Sequence, residues 1–168
     1  LELGAAGATV YVTGRTLDDS QAPVPGTIGA TAEEVSKLGG VGIPVRCDHK
    51  NDAEIQAVIE RVRKEAGRID ILVNNAFTMP SGPIFEGKFW EHPVTLWDEL
   101  LHVGCRGHYV ASHAVAPIMV AQRSGLIVNI SSNVTSRMPA SYGAYTVSKA
   151  GLEALTRILS KEEGPNGI

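Results

Sequence analysis

The chain has 168 residues, 43% of them hydrophobic and 20% charged, with a formal net charge of −3. This composition fits one soluble globular domain and excludes fibrous, collagen-like and disordered classes. No apolar stretch reaches the roughly 18 residues a spanning helix needs, Lys and Arg form no basic stripe for nucleic acid, and the two cysteines, Cys47 and Cys105, are too few for a disulfide scaffold or a zinc site with paired spacing. These features predict a cytoplasmic protein with no metal, no membrane span and no nucleic-acid partner. The opening Leu1-Glu2-Leu3-Gly4 carries neither a basic leader nor a cleavage pattern and reads as an internal start.

In chain order, Thr9 to Thr13 is a β-branched and aromatic run between Gly7 and Gly14, which predicts a buried strand. Residues 16 to 28, with Asp18-Asp19-Ser20 and Pro23-Val24-Pro25-Gly26, predict a surface loop. A helix is predicted from Ala30 to the Gly39-Gly40 stop, and a strand over Val41 to Arg46. The clearest helix spans Asp52 to Ala66, where Ile55, Val58, Ile59 and Val62 recur at helical spacing, Asn51 can cap the start and Gly67 can end it. Ile69 to Val73 and Gly125 to Ile130 are almost continuously apolar, as strands covered on both faces should be. Between them lie a loop with Pro80, Gly82, Pro83 and Gly87 and a long helix from about Thr95 to Gln122. A last helix follows Tyr142 and runs to about Glu163. Alternating strands and helices with long crossovers predict a doubly wound parallel sheet, a three-layer α/β Rossmann-type fold, within one domain.

Tyr145-Thr146-Val147-Ser148-Lys149 places a phenol and an ammonium four residues apart near the start of the last helix, on one face. A fixed cation and the positive helix end both favour phenolate, which suits proton transfer near neutrality. An exposed, unremarkable Tyr and Lys is the competing reading of so short a pattern. Ser131-Ser132 fall where the strand Leu126 to Ile130 ends, and ligands of open α/β sheets bind beyond the carboxyl ends of strands. Ser132 precedes Tyr145 by thirteen positions, and Asp70-Ile71-Leu72-Val73-Asn74-Asn75-Ala76 lies upstream.

Together these residues resemble the short-chain dehydrogenase/reductase family, with its strand-terminal Ser, its Tyr-x-x-x-Lys and its D-x-L-V-N-N-A-G motif. The resemblance implies catalytic roles for Ser132, Tyr145 and Lys149. Tyr145 would exchange a proton with the substrate oxygen, Ser132 would hydrogen-bond that oxygen, and Lys149 would promote ionisation of the phenol and hold the nicotinamide ribose. It also implies that Tyr145 and Lys149 contact the cofactor, that Asn74, Asn75 and Ala76 border it, with the Asn pair tying the strand end, and that Asp48 lies by the adenine. Ser131 and Tyr142 are the competing serine and phenol, less well spaced. Gly14-Arg15 stands where such folds read the adenosine ribose, and a guanidinium without an acidic neighbour argues for NADP(H) over NAD(H). The implied activity is hydride transfer between NADP(H) and a small carbonyl compound or secondary alcohol. The alternatives are a catalytically silent nucleotide-binding or scaffold member and, more remotely, a nucleotide-sugar epimerase. A homodimer or homotetramer is implied, through helix faces such as Leu152, Leu155 and Ile158.

The sequence departs from the family pattern in four places. The glycine-rich T-G-x-x-x-G-x-G turn and its strand do not occur, so Leu1 to Ala8 reads as the end of the helix that follows them, with roughly twenty residues expected upstream and further strands and a substrate lid expected downstream. The expectation is an internal piece of one domain, little active alone. Gly104 stands where the family has an Asn that holds a relay water, and Phe77 replaces the Gly after Asn74-Asn75-Ala76. The Pro25-Gly26-Thr27-Ile28 loop, Phe89-Trp90-Glu91 and the run Val103 to Tyr109 resemble one subgroup of the family. His102, His108 and His113 are read as packed residues rather than relay groups.

Overall fold

The computed structural model describes residues 1–17, 26–80 and 86–168. The expected turn formers from Asp18 to Pro25, and Gly82 and Pro83, lie outside the described residues. The chain forms two compact units, 1–58 and 59–168; the helix α3, Asp52–Ala66, crosses the boundary.

In the first unit, α1 (Glu2–Ala5) leads into β1 (Thr9–Gly14), α2 (Ile28–Lys37) and β2 (Val41–Arg46). The two strands pair in parallel, with Thr9 opposite Val41 and Gly14 opposite Arg46. The helix α2 begins two residues earlier than the apolar pattern suggests because Thr27 caps it, its Oγ1 accepting the Ala30 N–H at 3.0 Å. Ile28, Ala32 and Val35 then face inward, and Val45 and Cys47 are buried from the strand side. Burial, helped by the carboxylates of Glu54 and Asp48, pushes the Cys47 thiol up to about 11, so it packs as a small apolar group. Asn51 caps α3 as predicted, its Oδ1 accepting the Ala53 N–H at 3.0 Å.

At Gly42 the strand β2 lies against the backbone of α2. A Cβ there would meet the backbone of Ala32, its carbonyl oxygen first, then its C and Cα at 2.6 and 2.7 Å. Backbone cannot rotate away as a side chain can, so Gly42→Ala is expected to lower stability by about 3 kcal/mol or more, at the upper end of overpacking costs. Gly143→Ala, whose Cβ meets nothing within 4 Å, is the control and should be neutral or slightly stabilising. Urea midpoints of the two variants check this, and equal midpoints would contradict the packing.

The second unit holds β3 (Ile71–Asn74), a 3₁₀ turn (Phe89–Glu91), α4 (Thr95–Leu101), a π-turn (His102–Gly107), α5 (His108–Gln122), β4 (Leu126–Asn129), α6 (Val134–Arg137), α7 (Gly143–Glu163) and a closing 3₁₀ turn (Gly164–Asn166). β3 and β4 pair in parallel from Ile71–Leu126 to Asn74–Asn129. Ile59, Ile69, Val115 and Met119 form the core, with Leu72, Ile118 and Ile127 against it.

Among the described residues the hydrogen bonding forms two parallel pairs, β1–β2 and β3–β4. Two differences from expectation stand out. Ile71, Val73 and Leu126 share one face of the β3–β4 pair and remain 40, 46 and 52% exposed, where full cover on both faces was anticipated; Leu72 and Ile127 on the other face pack against the core. The single long helix from Thr95 to Gln122 is two α-helices joined by the π-turn, a hydrogen-bond slip with no composition signal of its own. No helix among the described residues is long and apolar enough to cross a membrane.

Candidate active site

The helix α7 sets a stripe of side chains at Tyr145, Lys149, Glu153 and Thr156, spaced so that they share one face. Three of them meet the end of β4 and the residues after it. Lys149 Nζ donates to the Ile130 carbonyl at 2.8 Å, Glu153 Oε1 accepts the Ser131 hydroxyl at 2.7 Å, and Thr156 Oγ1 accepts from Asn129 Nδ2 at 2.9 Å. The helix thus grips the strand end residue by residue.

Lys149 is only 4% exposed, which disposes of the surface reading for it. Burial pulls its pKa below the ordinary 10.5, with Cys105 nearby opposing the shift. Its ammonium lies 5.9 Å from the centre of the Tyr145 ring. Tyr145 is half-buried, packs against the Leu96–Leu100 pair and takes the Phe77 ring edge-on, with centroids 5.7 Å apart at 79°. Phe77, standing where the family has Gly, therefore forms part of the wall beside the phenol.

Ser131 and Ser132 separate in role. The Ser131 hydroxyl is committed to Glu153, a bond that, together with the one from Thr135 Oγ1 at 2.8 Å, holds the Glu153 carboxyl below its usual range. Ser132, half-buried, is held by its backbone: its carbonyl accepts from Thr135 N at 3.4 Å and Thr135 Oγ1 at 3.1 Å. Glu153 was not singled out from the sequence, although its position four residues beyond Lys149 was the available signal.

Asn74 is 4% exposed. Its Nδ2 donates to Asn129 Oδ1 at 2.8 Å, Ser112 Oγ at 3.1 Å and the His108 carbonyl at 3.4 Å, so it does tie the strand end. Asn75 is exposed and Ala76 half-buried. The Ala76 carbonyl accepts from His108 Nε2 at 3.1 Å, which requires the Nε2–H tautomer. His108 is 1% exposed, a packed strut as expected. Tyr142 is half-buried before α7. His113 is exposed and stacks on Tyr109 with centroids 6.1 Å apart.

Gly104 lies in the π-turn, where a Cβ would come within 2.7 Å of Ser148 Oγ. Ser148 is itself buried and donates to the Leu100 carbonyl at 3.3 Å, so a side chain at the place of the relay Asn would require the Ser148 hydroxyl to move. Leu152 is wholly buried within this chain, which removes it from the expected subunit interface, because its apolar surface is already covered; Ile158 is 53% exposed.

In the first unit, Arg15 is exposed just after β1. At Gly14 a Cβ would lie 2.8 Å from Ile28 Cγ2, and Ile28 is β-branched and buried in the first turn of α2, with a stiff rotamer. No acidic side chain fits at position 14 without displacing it. Asp48 Oδ1 accepts the Lys50 N–H at 2.9 Å, a turn-forming bond. The neighbouring His49 Nε2 lies 3.1 Å from Thr13 Oγ1, and burial lowers its pKa. Arg15 and Asp48 thus follow the carboxyl ends of β1 and β2, as Ala76 and Ser132 follow those of β3 and β4.

A family model described as Enoyl-(Acyl carrier protein) reductase matches residues 2–168. Dehydrogenase/reductase SDR family member 1 of Mus musculus is 44% identical over 135 residues, 79% of this chain and 41% of that protein, and the Homo sapiens protein is 43% identical over the same shares. This is the subgroup that the segments around Phe89 and Val103 resemble. The chain spans about two-fifths of the length of these curated relatives. Among solved structures, a metagenomic short-chain oxidoreductase in complex with NADP is 32% identical with a TM-score of 0.86, covering 98% of this chain and 69% of that one. A 7α-hydroxysteroid dehydrogenase complexed with NADH and 7-oxo glycochenodeoxycholic acid is 27% identical with a TM-score of 0.81, over 98% of this chain and 59% of that one. A match across residues 2–168, with likeness at this level in sequence and in fold, makes the chain a member of the short-chain dehydrogenase/reductase family of oxidoreductases.

Proposed function

We propose that this chain carries the Ser132–Tyr145–Lys149 centre of an oxidoreductase that interconverts small carbonyl compounds and alcohols with NADP(H). The observation that supports this most is the buried Lys149 ammonium held between the Tyr145 ring and the end of β4. An ammonium has three donors, and the Ile130 carbonyl takes one of them, which suits a group that must also hold ribose hydroxyls. The dinucleotide, when bound, supplies or accepts hydride. Tyr145 gives its proton to the carbonyl oxygen in reduction and takes one from the alcohol in oxidation, while the Ser132 hydroxyl donates to the same oxygen as charge builds on it. Lys149 keeps positive charge beside the phenol and orients the ribose.

The preference for NADP(H) rests on position 14. The space an acidic side chain would need is taken by Ile28, and the exposed Arg15 guanidinium beside it suits a 2′-phosphate. Asp48 in the first unit, and Asn74, Asn75 and Ala76 in the second, are assigned to the dinucleotide by the family resemblance. The full-length protein works in the cytoplasm as a dimer or tetramer. Gly104 favours a second reading, a silent nucleotide-binding member, because it removes the side chain of the usual relay.

The two serines separate these readings. In the full-length protein, Ser132→Ala is expected to lower kcat for NADPH-dependent reduction across a ketone and aldehyde panel by roughly 10²–10³-fold, the worth of one donor to a developing oxyanion. Ser131→Ala should stay within a few-fold. Equal losses would overturn the assignment, and no turnover by the parent protein despite tight NADPH binding would favour the silent member.

A further inference from the structure

We infer that Glu153 is a positioning residue for Ser132, acting as the clamp that fixes the turn after β4. This inference rests on the catalytic reading of Ser132. Glu153 touches neither Tyr145 nor Lys149 through any bond described above. What it does is accept, on the single oxygen Oε1, the hydroxyls of Ser131 and Thr135 at 2.7 and 2.8 Å. These residues bracket Ser132 in sequence, and Thr135 reaches back to the Ser132 carbonyl with its N–H at 3.4 Å, its single hydroxyl proton being shared between that carbonyl and Glu153. The backbone of Ser132 is therefore held from before and after by one carboxylate. Ionised, that carboxylate makes charge-assisted bonds, stronger and shorter than neutral ones. The hydrogen bonds in turn pull its pKa down, so the clamp stays charged through the neutral range.

The clamp also selects between adjacent serines. Two consecutive hydroxyls at a strand end compete for the same task, and Glu153 removes Ser131 from the contest by binding it. Lys149, one helical turn earlier, fixes the Ile130 carbonyl at 2.8 Å, so the residues on both sides of Ser132 are immobilised from α7 and the Ser132 side chain is the part of the turn not drawn into the grip. A donor must lie within a few tenths of an ångström of its mark to serve a transition state, and displacements near 1 Å cost about a hundredfold.

The test is a double-mutant cycle in the full-length protein with NADPH and its best carbonyl substrate. Glu153→Ala is expected to lower kcat by roughly tenfold to a hundredfold with KM for NADPH within a few-fold. Glu153→Gln, whose amide oxygen still accepts both hydroxyls, should recover most of that loss. In a Ser132→Ala background, Glu153→Ala should have no further effect on kcat, because it acts only through Ser132. Additive losses, or a Gln variant as impaired as the Ala variant, would overturn the inference while leaving Ser132 catalytic. A Ser132→Ala protein of full activity would instead remove the reading beneath it, and the inference with it. Should Glu153→Ala fail to fold, Thr135→Val in the two backgrounds decides in its place: a loss of kcat that disappears in Ser132→Ala supports the clamp, and no loss or an additive one overturns it.

Discussion

Tyr145→Phe is expected to cut carbonyl reduction by about 10²–10⁴-fold in kcat, the range that a positioned general acid supplies, while NADPH affinity stays within a few-fold. The expectation follows from how the ring is held. Phe77 meets its edge at 5.7 Å and Leu96 and Leu100 pack against it, contacts that a phenylalanine ring keeps. Only the proton-bearing oxygen goes. Lys149→Met should behave differently, raising KM for NADPH as well as lowering kcat, since the ammonium is assigned to the ribose and to the phenol together. Burial lowers the Lys149 pKa below 10.5. The charge on this group is present below its own pKa and lost as pH rises through it, so the alkaline limb of kcat/KM should fall below pH 10.5. Stopped-flow NADPH oxidation with a fluorescence titration of NADPH measures both parameters. A Phe variant with parental kcat would end the proton-transfer assignment.

The second large effect is structural. Asn74→Leu should destabilise the 59–168 unit by about 1–3 kcal/mol, because a near-isosteric apolar group leaves Asn129 Oδ1 without the donor it has at 2.8 Å, whereas Ser112 Oγ and the His108 carbonyl keep the bond between them. Asn74→Asp should be worse near neutral pH, since a carboxylate would face those same oxygens in a site only 4% exposed. A buried carboxyl has its pKa raised. The folded form therefore binds the proton more tightly than the unfolded, and acidification should recover part of the loss. Asn75→Ala, at an exposed position, should stay within about 0.5 kcal/mol. Chemical denaturation of the three variants decides, and indistinguishable midpoints for positions 74 and 75 would refute the network as a stabilising element.

The contrast between those neighbouring asparagines shows what the sequence could and could not carry. Strands, helices and their order were legible because they rest on local periodicity: Ile55, Ile59 and Val62 on α3, or the β-branched run from Thr9. The Tyr145–Lys149 pair was legible because a spacing of four on a helix is itself a spatial statement. Nothing local distinguishes Asn74 from Asn75, whose fates depend on Ser112 and Asn129, tens of residues away. Likewise, the reason for glycine at position 14 is Ile28, and at position 104 it is Ser148. The grip of Glu153 on Ser131 was hidden by the same distance in sequence. Leu152 was misplaced on an outer face because its apolar character fits an interface and a core equally well.

The π-turn between α4 and α5 makes one length of chain serve two unrelated neighbours. A single extra residue in a turn rotates everything after it by about 100° relative to an uninterrupted α-helix. Before the slip, Leu96 and Leu100 look toward Ala144 and Tyr145. After it, Ser112 looks toward Asn74, and Val115 and Met119 toward the β3–β4 core. The offset acts like a universal joint frozen at one angle, letting the phenol's pocket and the strand's anchor be tuned by separate stretches of the same rod.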